Sequence, residues 1–198
     1  MSTILLQHVW DAIDQANRED PRQDLVGGKP YPKEWLYSER MTEWVKQLAP
    51  QASEELLIAA RAQHICRWKI PRANYPWTRK GYIQWRETLK RFHADLVMKL
   101  MKDADYPDES IQKVENMILY KNMSKHPEGQ TLEDAACLVF LQYEFEKFSK
   151  KADEEKIINI LRRTWGKMSE AAHQAALQLA YAPEQKSLIE KALTSSAV

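Results

Sequence analysis

The stretch that decides the fold runs from Ser53 to Asp95 and reads SEELLIAARAQHICRWKIPRANYPWTRKGYIQWRETLKRFHAD. Both of its ends repeat apolar residues at spacings of three and four, as helices do when they bury one face. Pro71 and Pro76 exclude a helix through its centre, and Gly81 permits the turn into the second helix. The stretch therefore predicts two antiparallel helices that the 69–81 loop folds back on each other.

The same periodicity continues through most of the chain on either side. The predicted helices are Ile4–Arg18, Pro32–Leu48, Ser53–Trp68, Tyr82–Lys102, Asp108–Asn122, Leu132–Ser149, Glu155–Met168, Ser169–Tyr181 and Pro183–Ala192. Gly27-Gly28 and the residues that follow are interpreted as a loop, because hairpin signals such as Asn-Gly are absent. With no strand predicted, the fold class is all-α: a single-domain bundle of about seven to nine helices over residues 1–198.

The composition is that of a globular protein, since 44% of the 198 residues are apolar and 29% are charged. No apolar run approaches the roughly 18 residues that span a membrane, and the N-terminus turns polar at His8, too early for a signal peptide. Cys66 and Cys137 lie in apolar helical patterns, which predicts free, buried thiols in a reducing compartment. A cytoplasmic protein without a membrane partner is therefore expected.

Positive charge is concentrated between residues 61 and 91, although the whole chain nets only +1. Arginines on two helices and a loop suit bidentate capture of phosphate or carboxylate, with tryptophans as a pocket wall. The candidate anion-binding residues are Arg61, Arg67, Arg72, Arg86, Trp68, Trp77 and His93. The alternative is a solvated surface whose arginines pair with acids of segment 103–116. A small-molecule anion is favoured over nucleic acid, because one small patch on a near-neutral chain is a limited footprint.

Two histidines lie on the paired helices, His64 on or beside a buried face and His93 on the edge of an apolar stripe. Two imidazoles could bind a metal ion, or one could act as a general acid or base. The alternative is a core histidine hydrogen-bonded to a neighbour. The sequence predicts that Arg61, His64, Arg67 and Arg86 converge on one pocket, with a tryptophan at its wall.

Two acids open the predicted sixth helix. Asp134 shares an apolar face with Leu138, where a carboxylate could act as a base, ligate a metal or pair with an arginine. The alternative is a capping box, because Thr131 precedes Asp134 by three residues. The candidate catalytic residues are therefore His64, Glu133 and Asp134, and the weaker candidate metal ligands are His64, His93 and Asp134. Because the neighbouring arginines disfavour a cation, the favoured expectation is no cofactor, with a divalent metal as the alternative.

Four stretches resemble the bacterial and fungal family described as domain of unknown function 4202. They are WLYSERMTEW at 35–44, ARAQHICRWKIPR at 60–72, GYIQWR at 81–86 and QTLEDAACLVFL at 130–141. The resemblance covers nearly all of the chain except its last few residues. Because the family's name assigns no activity, the resemblance implies none.

The chain is also similar, more weakly, to HD-domain metal phosphohydrolases, which are all-helical. Their pattern is a His that opens one helix, a His-Asp pair that ends the next, and a later Asp. The spacing from Tyr37 to His64-Ile65 fits this frame, but Tyr37 stands at the first His position and Ile65 at the paired Asp position. The resemblance implies an HD-like fold in which only His64, with His93 or Asp134, remains of the metal set.

These patterns predict a protein that binds a phosphorylated or otherwise anionic small molecule, a nucleotide included, in an Arg/His/Trp-rich pocket. In the enzyme alternative, His64 acts with His93 or with Glu133/Asp134 in acid–base or metal-assisted hydrolysis of a phosphoester. In the binding alternative, the incomplete metal set has left a sensor or a protein-interaction module. The residues leave both alternatives open.

Overall fold

The computed structural model describes residues 2–121 and 127–194, and the chain forms two compact units, Met1–Leu132 and Glu133–Val198. The helices are α1 Ser2–Arg18, α2 Lys33–Leu48, α3 Glu54–Ala62, α4 Arg79–Asp103, α5 Asp108–Ile118, α6 Pro127–Val139, α7 Phe145–Ser149, α8 Glu154–Trp165, α9 Glu170–Leu177 and α10 Pro183–Thr194. The strands are β1 Gln23–Val26 and β2 Lys29–Pro32. The all-α prediction is confirmed, with this small sheet as an addition; the single domain over 1–198 stays a prediction.

The helix count agrees with the sequence because α6 and α7 form one continuous stretch through a π-helical turn at Phe140–Glu144. The described residues therefore hold nine separate α-helical stretches, within the predicted range, besides short 3-10 turns. In that part of the chain, no helix has both the length and the apolar surface needed to cross a bilayer.

A β-hairpin corrects the prediction of a loop at Gly27-Gly28. Val26 pairs with Lys29 across a two-residue turn, and both glycines have positive φ, +57° at Gly27 and +80° at Gly28. A turn of this kind matches the twist of its flanking strands, and glycine adopts it without a steric penalty. The prediction was wrong because Gly-Gly is itself a hairpin signal, even without Asn-Gly.

The third helix is shorter than predicted. It ends at Ala62 rather than Trp68, and Cys66 adopts a left-handed conformation with a φ of +53°. The Cys66 N–H donates to Asn17 Oδ1 of α1 at 3.0 Å in the interior, which fixes this irregular backbone. A 3-10 turn follows at Arg67–Lys69. The segment that carries the predicted site is therefore a break in the helix, held against α1.

α3 is the centre of the first unit. It packs against α1, α2 and α5, and α5 packs in turn against α4. Leu56, Ile58 and Ala59 of α3 are fully buried at these contacts. Among the described residues, the two helices of the 53–95 stretch are therefore held mainly through α5 and α1, and the predicted direct antiparallel pairing is not one of the main contacts of this unit.

The loop before α4 closes tightly on the first turn of that helix. Thr78 Oγ1 accepts a hydrogen bond from the Gly81 N–H at 3.1 Å, so the helix begins at Arg79 and not at the predicted Tyr82. Gly81 lies so close to Pro76 that a Cβ atom there would be 2.2 Å from the Pro76 carbonyl oxygen. Glycine is therefore what allows the loop to approach α4.

Replacing Gly81 with alanine is expected to lower the free energy of unfolding by about 1–3 kcal/mol, because the clash is with backbone and no side-chain rotation relieves it. Gly166→Ala is the matched control, since a Cβ atom there meets its nearest neighbour, the Arg162 carbonyl oxygen, at 3.3 Å. Urea unfolding of both variants measures the difference. A neutral or stabilising Gly81→Ala would contradict the close approach.

The second unit is built from the end of α6 and from α7 to α10. α8 packs against α7 and α10, and Phe145 of α7 is fully buried. α6 begins at Pro127 and not at the predicted Leu132, so Thr131 lies inside the helix and is not its N-cap. The predicted start was wrong because proline suits a first helical turn, where its missing N–H has no partner in any case. His126, in the predicted loop, lies outside the described residues.

Candidate functional site

The site is built on a buried carboxylate in the first turn of α2. The Glu34 side chain is 3% exposed and accepts a hydrogen bond from Arg22 Nη2 at 2.6 Å. Arg22 Nη2 also donates to Asp20 Oδ2 at 3.0 Å, and the Glu34 N–H donates to the same oxygen at 3.1 Å. Asp20 and Arg22, which precede the hairpin, therefore fix both the backbone and the carboxylate of Glu34.

His64 lies between this carboxylate and an arginine. Its Nδ1 is 3.4 Å from Glu34 Oε2, and Arg67 Nη1 lies 2.7 Å from its Nε2 and 3.2 Å from its Nδ1. Because a guanidinium nitrogen only donates, the shorter of these two contacts assigns the lone pair to Nε2 and the proton of the neutral ring to Nδ1, toward Glu34. The Tyr37 ring stacks on His64 with centroids 4.0 Å apart and an angle of 17° between the planes.

The electrostatic surroundings keep this imidazole neutral. Burial lowers the pKa of His64 well below its usual value, and the positive charges of Arg67 and Arg86 lower it further. The same burial raises the pKa of Tyr37 far above its usual value, so the stacked phenol also stays neutral. His64 therefore acts as an acceptor toward Arg67 and carries no charge of its own.

Arg67 is a cation without an ion-pair partner among the described residues, although the charge of Glu34 acts on it from farther away. Among the described residues, no carboxylate lies within 4.0 Å of its guanidinium. The guanidinium contacts the His64 ring and lies over Trp85, 5.1 Å from the ring centroid. Burial lowers the pKa of Arg67 below its usual value, and the charge of Arg86 adds to this, although a guanidinium remains protonated in proteins. The protein thus holds a largely buried positive charge that its own acids do not neutralise.

Arg86, on α4, is a second such cation. It forms no hydrogen bond or ion pair within the described part of the chain. Its charge lies close enough to lower the pKa of both His64 and Arg67. We refer to His64, Arg67 and Arg86 as the arginine site.

A small cavity of about 20 Å³ adjoins the arginine site. It is lined by Gln63, His64, Arg86, Leu89, Lys90, His93, Ile118 and Tyr120. Lys90 pairs with Glu87 at 2.8 Å and also lies over the Tyr120 ring, 5.3 Å from its centroid. The volume is enough for one group the size of a water molecule.

The comparison with known proteins covers most of the chain. Residues 7–189 match the family described as Domain of unknown function (DUF4202). The chain belongs to this family. The match includes the whole arginine site and confirms the resemblance seen in the sequence. No curated protein and no solved structure gives a significant match, so the HD-like fold stays a prediction.

Of the four residues predicted to converge on one pocket in this family domain, His64 and Arg86 line the cavity, Arg67 contacts His64 without lining it, and Arg61 lies elsewhere. The Arg61 side chain is 8% exposed and is ion-paired with Asp14 at 2.6 Å and with Glu39. Its guanidinium also lies over Trp10, 5.4 Å from the ring centroid. Arg61 is therefore neutralised by two acids of α1 and α2, and it is removed from the anion-binding candidates.

The loop candidates lie outside the cavity lining. Arg72 donates to the carbonyl oxygens of Tyr75 and Pro76 at 2.8 and 2.7 Å, and it lies over Trp77, 4.7 Å from the ring centroid. Trp77 is 80% exposed, and Trp68 lies near Lys69 Nζ at 6.0 Å. Arg72 therefore closes the 69–81 loop on itself. The expected tryptophan wall is replaced by Tyr120 at the cavity.

The two acidic candidates lie in the second unit, where they make structural contacts. Asp134 accepts from the Ser169 N–H at 2.8 Å and from Ser169 Oγ at 2.6 Å, beside the N-terminus of α9. Glu133 pairs with Lys167 at 2.7 Å. The capping-box alternative for Asp134 was wrong, because α6 had already begun four residues before Thr131. Asp134 instead supports the cap of a different helix.

The possible metal ligands and the two cysteines decide whether the described part of the chain supports metal or thiol chemistry. Within residues 2–121 and 127–194, no three His, Cys, Asp or Glu side chains form a cluster that could hold a metal ion. Cys66 and Cys137 are free and buried, as predicted. Burial raises the pKa of the Cys137 thiol to about 12, so it is not a thiolate near neutral pH.

Sequence reasoning did not propose several residues of the site. Glu34 gave only the signal of an acid in a first helical turn, which is typical of exposed positions. Gln63 precedes His64 and would lie on another face if α3 continued as predicted. Tyr120 was placed inside a longer fifth helix, whereas its φ of +57° follows the end of α5. Each became visible only once the helix ends were known.

Proposed function

We propose that this family domain binds an anionic small molecule, phosphorylated or otherwise, at the arginine site. The observation that carries the proposal is Arg67, a largely buried guanidinium without a carboxylate partner among the described residues. Arg86 beside it is likewise without a partner there, and His64 is neutral. An anion placed against the two guanidiniums would supply the missing charge.

The energetics favour a ligand over an unfilled site. Removing a charged group from water costs several kcal/mol unless a counter-charge or hydrogen bonds compensate it. The protein meets this cost at Arg61 with Asp14 and Glu39. At Arg67, the carboxylate that raises the pKa is that of Glu34, which already accepts a hydrogen bond from Arg22. A bound phosphate or carboxylate would accept bidentate hydrogen bonds from either guanidinium.

His64 would respond directly to such a ligand. Its pKa is lowered partly by the charges of Arg67 and Arg86, so neutralising them raises the pKa again. Once protonated, the ring could donate to the ligand or transfer a proton to it. This favours His64 as the polar centre of the site in both the binding alternative and the enzyme alternative.

Phosphoester hydrolysis is the second candidate, and one observation favours it. Tyr37 and His64, which stand at two ligand positions of the HD-domain frame, are stacked in space. The acid–base group for such a reaction would be His64. Glu133 and Asp134 have no catalytic role in this proposal, because Glu133 pairs with Lys167 and Asp134 accepts from Ser169.

The proposal is tested by ligand-dependent stability. A multivalent anion at a hundredfold excess over its Kd is expected to raise the free energy of unfolding by about 2.7 kcal/mol. Arg67→Met and Arg86→Met should abolish this gain, since each lost charge-assisted hydrogen bond is worth about 1.5–3 kcal/mol. Thermal melts with inorganic phosphate, sulfate, glycerol 3-phosphate and AMP, at constant ionic strength, measure it.

Arg91→Met is the matched control, because Arg91 lies on the same helix and is exposed. It removes the same charge and should keep the full response to the anion. Phosphate and sulfate also stabilise proteins non-specifically, but that effect would be equal in all four proteins. An equal shift in wild type, Arg67→Met and Arg86→Met would show that the anion binds elsewhere, and no shift with any anion would reject the proposal.

A further inference from the structure

Two residues that line the cavity beside the arginine site each carry a buried polar atom without a partner among the described residues. Within the described residues, His93 Nε2 and Gln63 Oε1 accept no hydrogen bond. Both residues line the cavity, and they are only 3% and 6% exposed. Buried polar atoms are nearly always hydrogen-bonded in folded proteins, so two such atoms at one cavity indicate a missing group.

The protonation state of His93 determines whether the missing group must donate or accept a hydrogen bond. Its Nδ1 is 2.7 Å from the carbonyl oxygen of Ile65, and a carbonyl only accepts, so Nδ1 carries the proton. Burial lowers the pKa of His93 to about 3, which keeps the ring neutral. Nε2 is therefore a lone pair that needs a donor, and an unprotonated phosphate or carboxylate oxygen would be repelled there.

Gln63 can adapt to such a donor. Its side-chain amide is hydrogen-bonded to the Tyr120 hydroxyl, and Oε1 has no partner among the described residues. A ligand hydroxyl can donate its single proton to His93 Nε2 and accept from the Gln63 NH2 group, provided that the amide is flipped so that Oε1 accepts from the Tyr120 hydroxyl. With about 20 Å³ to fill, the cavity takes one oxygen atom of this kind.

We infer that the anion of the arginine site carries a hydroxyl group, which enters this cavity and donates to His93 Nε2 between Gln63 and Arg86. The inference rests on the proposed function and narrows it to hydroxylated anions such as polyol or sugar phosphates. The charge of the ligand lies toward Arg67 and Arg86, and its hydroxyl lies toward His93. A bound water molecule has the same O–H chemistry and is the other source of the donor.

Matched probes separate these two sources. Ethyl phosphate and 2-hydroxyethyl phosphate differ by one hydroxyl group, as do propyl phosphate and 3-hydroxypropyl phosphate, which reach different distances. Calorimetric titration of the wild-type chain is expected to show about tenfold tighter binding of at least one hydroxylated member than of its partner. In Gln63→Met and His93→Phe, which remove one hydrogen-bonding partner each, the preference should fall below about twofold while the plain alkyl phosphates still bind.

The outcomes distinguish failure of the inference from failure of the proposed function. Equal wild-type affinities within both pairs would overturn the inference, assign the cavity to water and leave the anion site standing. No binding of any probe would overturn the anion site, and the inference with it. The wild-type comparison needs no variant, so a variant that fails to fold does not affect it. Nitrogen-15 NMR of the free protein gives an independent check, because a proton on His93 Nε2 at pH 7 would also overturn the inference.

Discussion

The Arg61→Met variant is expected to lose about 3–5 kcal/mol of unfolding free energy, although methionine nearly matches the volume of the apolar part of arginine. The substitution leaves Asp14 as a buried carboxylate without its bidentate partner, at a position where the side chain is 11% exposed. Removing one member of a buried pair is costly because the remaining charge stays desolvated. Urea denaturation at pH 7, followed by circular dichroism, measures the loss.

The same substitution six residues later is the control. Arg67→Met should change stability by no more than about 1 kcal/mol, because two effects of opposite sign meet there. The variant loses the contacts with His64 and Trp85, but it also removes a buried charge that lacked a carboxylate. A loss of similar size in both variants would show that Arg67 has a counter-charge in solution, and this would weaken the anion site.

The contrast between these two arginines shows where the sequence stops being informative. Both lie in the basic stretch, and both were predicted to bind an anion. The acids that neutralise Arg61 come from α1 and α2, 47 and 22 positions away in the chain. No local sequence pattern predicts such an ion pair, because the pair forms only when α1, α2 and α3 pack together. Positive charge was therefore visible in the sequence, whereas the balance of charge at each arginine was not.

The helical fold was readable because apolar periodicity is a local signal that extends over many residues. The errors lie where a single backbone conformation decides the outcome. α3 stops because Cys66 is left-handed and bonded to Asn17, and neither residue type signals a helix end. The hairpin at Gly27 depends on two consecutive positive φ angles, which glycine permits without requiring. Periodicity predicts elements well and their ends poorly.

Asp134 shows the same limit for a polar residue on an apolar face. Its position was read correctly, since the residue is 4% exposed. A buried carboxylate invites a catalytic or metal-binding interpretation, but this one accepts two hydrogen bonds from Ser169, 35 positions later. Buried polar groups must be satisfied, and a helix N-terminus satisfies a carboxylate well. The function of a buried acid thus depends on its partner, which only the folded chain reveals.

The second large effect is a loss of stability in mild acid, and it follows from the lowered pKa values of the two buried histidines. His93 titrates at a pKa of about 3 in the folded chain and at about 6.5 when unfolded. Between these pH values the unfolded chain binds a proton that the folded chain does not, so stability is fully present above pH 6.5 and falls below it. The slope is up to about 1.4 kcal/mol per pH unit for each such histidine. His64, whose pKa is also lowered, acts in the same direction.

Between pH 7.5 and 5.0, His93 is therefore expected to remove about 2 kcal/mol, in a range where most carboxylates remain ionised, and His64 adds a loss of the same sign. His93→Gln should remove its own contribution and so reduce the slope of stability against pH, whatever it does to stability at pH 7.5. His8→Gln, at an exposed position of α1, is the control variant. Because an anion at Arg67 and Arg86 would raise the pKa of His64, saturating glycerol 3-phosphate should flatten the part of the slope that persists in His93→Gln. A free energy of unfolding that stays constant from pH 7.5 to 5.0 would mean that both imidazoles accept a proton in the folded chain, and it would contradict their assignment as neutral acceptors.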